Sequence, residues 1–402
     1  DPIVPGFFAP NDSTFIINLK KVFPPFIGLL TTQYCSVVPH EAIEKYGKDF
    51  REHPVGTGPF AFKLWKEGVK MIFLKNPNYF EVENGQRLPF IDAVSISFLN
   101  DKQAEFMEFV QGKIDFFKSL EASYKDELIT KEGLLQPKYR DKFKIETLPY
   151  LNTEYLGFLI DESENIVKNS PLKNKLIRKA INYGFDRVKM INYLRNNIGT
   201  PGTSGFIPKG MPSFNADSVQ GYIYDPVKAK KLLAEAGFPG GKGLPVITLS
   251  TTSTYLDLCE FIQSQLAEIG IRTKIEVNQN ATHREMVARQ KLNFFRGSWI
   301  ADYPDAENYL SLFYSKNFAP GGPNNTHFSN AKFDELYEKA RMETDTTLRY
   351  RYYRQMDRII IEEAPVVVLY YDKVLRLYQN NLSGLSGNAM NLLTLKRVKI
   401  SH

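Results

Sequence analysis

Little cysteine, little histidine and no long apolar run set the first bounds on this chain. Two cysteines in 402 residues, Cys35 and Cys259, cannot build a disulfide framework or a cysteine-rich metal site. Five histidines, at 40, 53, 283, 327 and 402, show no helical or strand spacing that gathers ligands, so no metal is expected. No stretch of about 20 apolar residues occurs, which excludes a multispanning helical membrane protein. Neither sign of charge dominates. Fifty-one basic and 45 acidic residues leave +6, which permits anionic partners without arguing for one. No segment reads as helix-turn-helix, so no nucleic-acid partner is expected. Internal repeats and low-complexity stretches are also absent.

Hydrophobic residues make up 43 % and aromatics 13 %, enough to bury a sizeable core and to exclude a disordered chain. The length predicts two or three domains. The chain opens Asp1-Pro2-Ile3-Val4 with no basic or apolar leader, so no signal peptide is read there.

Residues 1–100 read mostly as strands and turns. The run 13–19 is rich in β-formers, and Gly56-Thr57-Gly58-Pro59 marks a sharp turn. Alternation over 60–65 and 69–74 across Lys66-Glu67-Gly68 predicts a hairpin, and 93–99 a further strand. A helix is expected over 102–112, with Ala104, Met107 and Val110 on its apolar face. From about 145 the texture becomes alternating strand and helix. Ser170-Pro171 and Asp225-Pro226 each pair a cap with proline at the first helical position. Strands at 245–250, 271–277 and 293–300 alternate with helices at 255–269 and 282–290, an order that argues parallel pairing in an α/β lobe. Helices near 305, 331–342 and 345–362 precede the apolar run 365–371, and the tail returns to strands.

Catalytic signatures are weak. Gly202-Thr203-Ser204-Gly205 and Gly384-Leu385-Ser386-Gly387 lack the glycine spacing of a nucleophile elbow and read as turns. Gly240-Gly241-Lys242 has no following Ser or Thr and trails a helix, so it is not a phosphate loop. The segment 294–305 stands apart. Here a strand runs out into Tyr303-Pro304, with Asp302 just past its end, where ligands of open α/β sheets bind. Arg296, Trp299, Asp302 and Tyr303 would supply a cation, an aromatic wall and an anion. Residue chemistry leaves a second account open, in which Trp299 is core, Arg296 a solvated strand residue and Asp302 a cap. For Asp305, capping is the better reading.

A series of motifs in order along nearly the whole chain bears on that choice. It comprises His53-Pro54-Val55-Gly56-Thr57-Gly58-Pro59-Phe60 with Trp65, then Asn76-Pro77-Asn78-Tyr79-Phe80, Leu88-Pro89-Phe90-Ile91-Asp92 and Gly112-Lys113-Ile114-Asp115. Arg178 and Ala180-Ile181 follow, with Asp186-Arg187, Trp299-Ile300-Ala301-Asp302-Tyr303-Pro304-Asp305 and Phe333-Asp334-Glu335-Leu336. The series resembles the peptide/nickel-type (family 5) extracellular solute-binding proteins of ABC importers, in their oligopeptide/dipeptide branch.

The resemblance implies a two-lobed α/β fold of the periplasmic-binding-protein type (type II, cluster C) with mixed sheets and a two-crossing hinge. One lobe would hold 1–145 plus 372–402, incomplete at its N-terminus, since the family carries a segment before the position of Asp1. The second would hold 146–371. The crossings fall at Pro149-Tyr150 and Tyr370-Tyr371. It further implies a non-catalytic subunit that captures short peptides without a cofactor and delivers them to permease subunits. Its place is periplasmic or extracellular, with membrane attachment only through a lipid anchor outside these residues. Asp302 then meets the peptide's α-ammonium and Arg296 a short peptide's carboxylate. Gly297, Ser298, Trp299 and Tyr303 complete the ligand site. Two alternatives stay open: the sensor domain of a transcriptional regulator, or capture of nickel chelates, haem or oligosaccharide.

Overall fold

The computed structural model describes residues 6–99, 101–118 and 124–401. The opening Asp1–Val4 and His402 lie outside the described residues. The chain divides into two units. Unit 1 comprises Asp1–Thr32, Thr153–Arg187 and Gly202–Leu369, and unit 2 comprises Gln33–Asn152, Val188–Pro201 and Tyr370–His402. Two long segments, 1–32 and 188–201, therefore fall on the other side from the division read above, and the boundaries shift so that 146–152 and 370–371 also go to unit 2. Residues 1–32 belong with unit 1 because Gly28 lies against Tyr303 and Phe23 lies under the Arg341 guanidinium. Residues 188–201 belong with unit 2 because Thr200 and Pro201 pair with Tyr371 and Tyr370.

Unit 1 is built on parallel strands, as the strand–helix order predicts. Ile247–Thr252 pairs in parallel with Thr273–Asn278 along its whole length and with Phe294–Ile300 at Ser250 and Phe295. Phe143–Phe158 lies on the far side of Phe294–Ile300, and Val366–Gln379 beyond it. These two long strands continue from one unit into the other. Helices Leu256–Glu268 and Asn280–Ala288 supply the crossovers. Their apolar faces and those of the strands close a core in which Leu249, Ile262, Leu266 and Val367 are fully buried, and Phe158 stacks on Phe294 at 4.6 Å. That burial is the main source of the unit's stability.

Helix starts follow capping chemistry. The Asp225 carboxylate accepts from Lys228 N at 2.8 Å, with Pro226 opening the helix Pro226–Glu235. Ser170 caps only the short turn Pro171–Lys173; a second cap, Asn174, opens the helix Lys175–Tyr183. The helix expected to start at Ser170-Pro171 is thus two pieces, because Asn174 accepts from Leu176 N through its side chain and restarts the ladder. Arg178, from the motif series, is buried and donates to the carbonyls of Leu172, Lys173, Glu363 and Ala364. It fastens the end of helix Thr346–Glu363, whose last carbonyls lack helical partners.

Unit 2 carries the expected hairpin as Phe60–Lys66 and Lys70–Lys75, extended by Ala93–Ser97 into an antiparallel sheet. Asn76 of the motif series holds the glycine turn by donating to Gly58 O and Pro59 O. The helix Lys102–Val110 buries Phe106 and Phe109, not the Ala104 and Met107 of the expected face. Two phenyl rings remove more apolar area from water than an alanine and a methionine, and they set the face. They anchor a cluster with Phe117, Leu128, Tyr139, Phe143 and Leu377.

Candidate functional site

The strand Phe294–Ile300 places Arg296, Gly297, Ser298 and Trp299 in sequence, and Asp302 and Tyr303 follow beyond its end. All six lie in unit 1. Gly297 is demanded by its neighbour: a β-carbon there would lie 2.6 Å from Tyr155 Cζ. The adjacent strands repeat the device in reverse, since a β-carbon on Gly157 would lie 2.6 Å from the Phe295 ring. Glycine at these two places lets an aromatic ring approach the facing backbone closely.

Trp299 and Asp302 are brought together by Asn308. The indole Nε1 donates to Asn308 Oδ1 at 2.8 Å, Asp302 N donates to the same oxygen at 3.1 Å, and Asn308 Nδ2 donates to Asp302 Oδ2 at 3.0 Å. Asn308 is buried, whereas Asp302 is exposed. An anion is thus presented to solvent on a rigid support beside an aromatic plane. Asp305 accepts from Glu307 N at 2.9 Å and from the Tyr353 hydroxyl at 2.7 Å, but Ala306 holds the N-cap position of the short helix Glu307–Leu310, so Asp305 does not take the capping position read for it.

Tyr303 points elsewhere. It is buried, and its hydroxyl donates to Glu307, whose other carboxylate oxygen accepts from Tyr337. Burial and the Glu307 charge push the Tyr303 phenol well above its ordinary value. Ser298 is half-buried on the strand.

Arg296 is not solvated. Its guanidinium donates to the Glu154 carboxylate and its central carbon stands 3.3 Å from the centroid of the Tyr255 ring. The Arg296 carbonyl lies 2.9 Å from Nε2 of buried His283, whose imidazole burial holds below its ordinary value. Glu154, Tyr255, His283 and Asn308 were not legible as site residues. Asn308 follows Asp302 by six positions, but Glu154 precedes Arg296 by 142 and gives no local signal.

The four expected hinge residues lie near two of the five points where the chain passes between units, so the division has five crossings and not the two expected. Pro149 and Tyr150 precede the Asn152 to Thr153 crossing, and Tyr370 and Tyr371 follow the Leu369 to Tyr370 crossing. Around the second, Arg195 stacks on Tyr370 at 4.6 Å and donates to Asp372 at 3.0 Å.

Among the described residues, Asp161, Glu164 and His327 bring potential ligand atoms within 4.8 Å of one another. Both His327 nitrogens already face acceptors, Asp161 Oδ2 at 3.2 Å and Ala319 O at 2.9 Å.

Comparison with known proteins agrees with this architecture. Residues 1–321 match the model for bacterial extracellular solute-binding proteins, family 5 Middle. The glutathione-binding protein GsiB of Salmonella choleraesuis is 29 % identical over 380 residues, covering 93 % of this chain and 70 % of that one. Among solved structures, the periplasmic binding protein DppA from Helicobacter pylori in complex with peptide STSA has a TM-score of 0.77 at 24 % identity, over 98 % of this chain and 74 % of that one. A putative peptide binding protein AppA from Clostridium difficile reaches 0.82 at 21 %, over 98 % and 78 %.

The fold is therefore the two-lobed periplasmic-binding-protein-like α/β fold with mixed sheets. The chain belongs to the bacterial extracellular solute-binding proteins, family 5. This is a family of non-catalytic, periplasmic or extracellular proteins.

Proposed function

We propose that the chain is the substrate-binding component of an ABC importer and takes up short peptides between its two lobes, with the peptide's α-ammonium at Asp302. The observation that carries this reading is the Asp302 carboxylate, exposed past a strand end and braced by buried Asn308 beside Trp299. A buried ammonium needs a fixed anion, because an unpaired charge taken out of water costs several kcal/mol. An extended peptide can bond its main chain to the backbone at Gly297 and Ser298, while its side chains enter tolerant, wet pockets. Tyr303 supports this wall from behind through Glu307. Pro149-Tyr150 and Tyr370-Tyr371 act as the hinge, and a ligand that contacts both lobes favours the closed form. The names of the similar proteins support the ligand class, since glutathione is a tripeptide and the Helicobacter pylori neighbour holds a tetrapeptide. The delivered ligand passes to permease subunits.

Calorimetry with free and N-acetylated forms of one bound peptide tests the reading. A charge-assisted hydrogen bond contributes about 1.5–3 kcal/mol, so acetylation or Asp302→Asn should weaken binding by about tenfold or more. Equal affinity for both forms would contradict the assignment.

A further inference from the structure

The cation of the site is already neutralised from within unit 1. Glu154 projects from the strand Phe143–Phe158, which neighbours the strand of Arg296, and its carboxylate accepts from the Arg296 guanidinium. The pair is well withdrawn from water: the Glu154 side chain is 4 % exposed and that of Arg296 13 %. The Tyr255 ring covers one face of the guanidinium. Burial pushes the neighbouring Tyr155 phenol up to about 12, which keeps it from adding negative charge beside the pair, and lowers the His283 imidazole, which disfavours a second positive charge there.

A ligand carboxylate arriving at Arg296 would meet a second carboxylate on the same guanidinium. Two anions sharing one cation at low dielectric repel strongly. Displacing Glu154 instead would break a buried ion pair, and separating such a pair is costly. Among the described residues the exposed Asp302 has no ion-pair partner; its carboxylate and backbone N–H are braced by the neutral amide of Asn308.

We propose that Glu154 is a specificity-determining residue that neutralises Arg296, so that the site selects a peptide's amino end through Asp302 and is indifferent to its carboxylate. This rests on the peptide reading above and narrows its ligand class. The preferred ligands are peptides read from the amino end, whether their carboxyl end is free, amidated or extended. It also withdraws from Arg296 the carboxylate-receiving role that the sequence resemblance implies.

The test offers a mixed-sequence pool of peptides of three to five residues, as equimolar free acids and C-terminal amides. Native mass spectrometry reads the ratio retained by the wild-type chain, Glu154→Gln and Arg296→Gln. The wild type should retain acids and amides within about threefold of each other. Glu154→Gln, which keeps the shape and frees the guanidinium, should favour the acids by about tenfold or more. Identical ratios in the wild type and a folded Glu154→Gln overturn the proposal. So does a wild-type preference for acids that Arg296→Gln abolishes, and this comparison decides the matter even if Glu154→Gln fails to fold. Both of those outcomes leave peptide capture standing. Retention of no peptide by the wild type sinks the peptide reading and this proposal with it.

Discussion

Tyr155 and Gly297 face each other across neighbouring strands so closely that a β-carbon on residue 297 would stand 2.6 Å from Tyr155 Cζ and 2.8 Å from its hydroxyl. No side chain fits there unless the ring moves, and the ring is buried against Phe206 at 5.1 Å. Gly297→Ala should therefore destabilise unit 1 by about 1–3 kcal/mol, the range for overpacking a filled interior. Urea unfolding followed by tryptophan fluorescence measures it. A change within about 0.5 kcal/mol would mean that the strand relaxes freely at this point.

Asn308 predicts a different signature, loss of binding with little loss of order at a distance. Its amide holds Trp299 through one atom and Asp302 through both, so Asn308→Ala releases the anion and the indole together. A net hydrogen bond contributes about 0.5–1.5 kcal/mol, and an anion no longer fixed in place binds an ammonium less well. Peptide affinity should fall about three- to tenfold by calorimetry. If Asn308→Ala binds as the wild type does, Asp302 does not depend on its brace.

Unit 1 was largely legible because its signals are local. Asp225-Pro226 caps a helix, Ile271 to Val277 alternates along a strand, and the helix–strand order implies parallel pairing. What escaped depends on contacts distant in sequence or on competition between neighbours. Asn174 lies close enough to Ser170 for either to start the helix, and only the backbone decides that both caps are used. The helix at 102 presents two apolar stripes, and Phe106 and Phe109 win because other rings, such as Tyr124 stacked at 4.7 Å, wait to receive them. Tyr303 reads as a ligand residue in the sequence because Glu307, four positions on, is drawn into the interior by Tyr337, thirty positions further, and that contact carries no spacing signal. The Glu154–Arg296 pair is the extreme case. Each residue alone reads as an ordinary strand charge.

The sheet of unit 2 yields a prediction about association. Its register places Phe62, Trp65, Met71, Phe73, Val94 and Ile96 on one face, and none of these side chains is fully buried. Ile96 is 42 % exposed. A contiguous apolar face of this kind, flanked by two edge strands, favours pairing with another molecule. Residues 1–402 by themselves should self-associate at micromolar concentration, and Ile96→Lys should reduce this several-fold. Light scattering across a dilution series reads both. A monodisperse chain at all concentrations would show that the face is adequately shielded by its own loops.

Asp357 predicts how stability varies with pH. Its carboxylate is buried and accepts from Phe206 N at 2.6 Å, while Gly205 gives it room; a β-carbon at 205 would collide with it. Burial outweighs these backbone bonds and raises its pKa from 3.8 to about 7. The folded chain therefore keeps a proton that the unfolded chain releases at lower pH. It follows that this group's contribution is fully present below about pH 4 and is lost as pH rises through about 7, with stability falling across that window. Asp357→Asn carries no titrating proton and should flatten the slope, so that the two unfolding curves converge at acid pH and separate toward neutrality. Urea midpoints measured from pH 4 to pH 8 for both chains decide the point. A variant that is equally pH-dependent throughout would mean that Asp357 stays ionised in the fold, held by Phe206 N and Ile207 N, and that other groups set the acid response.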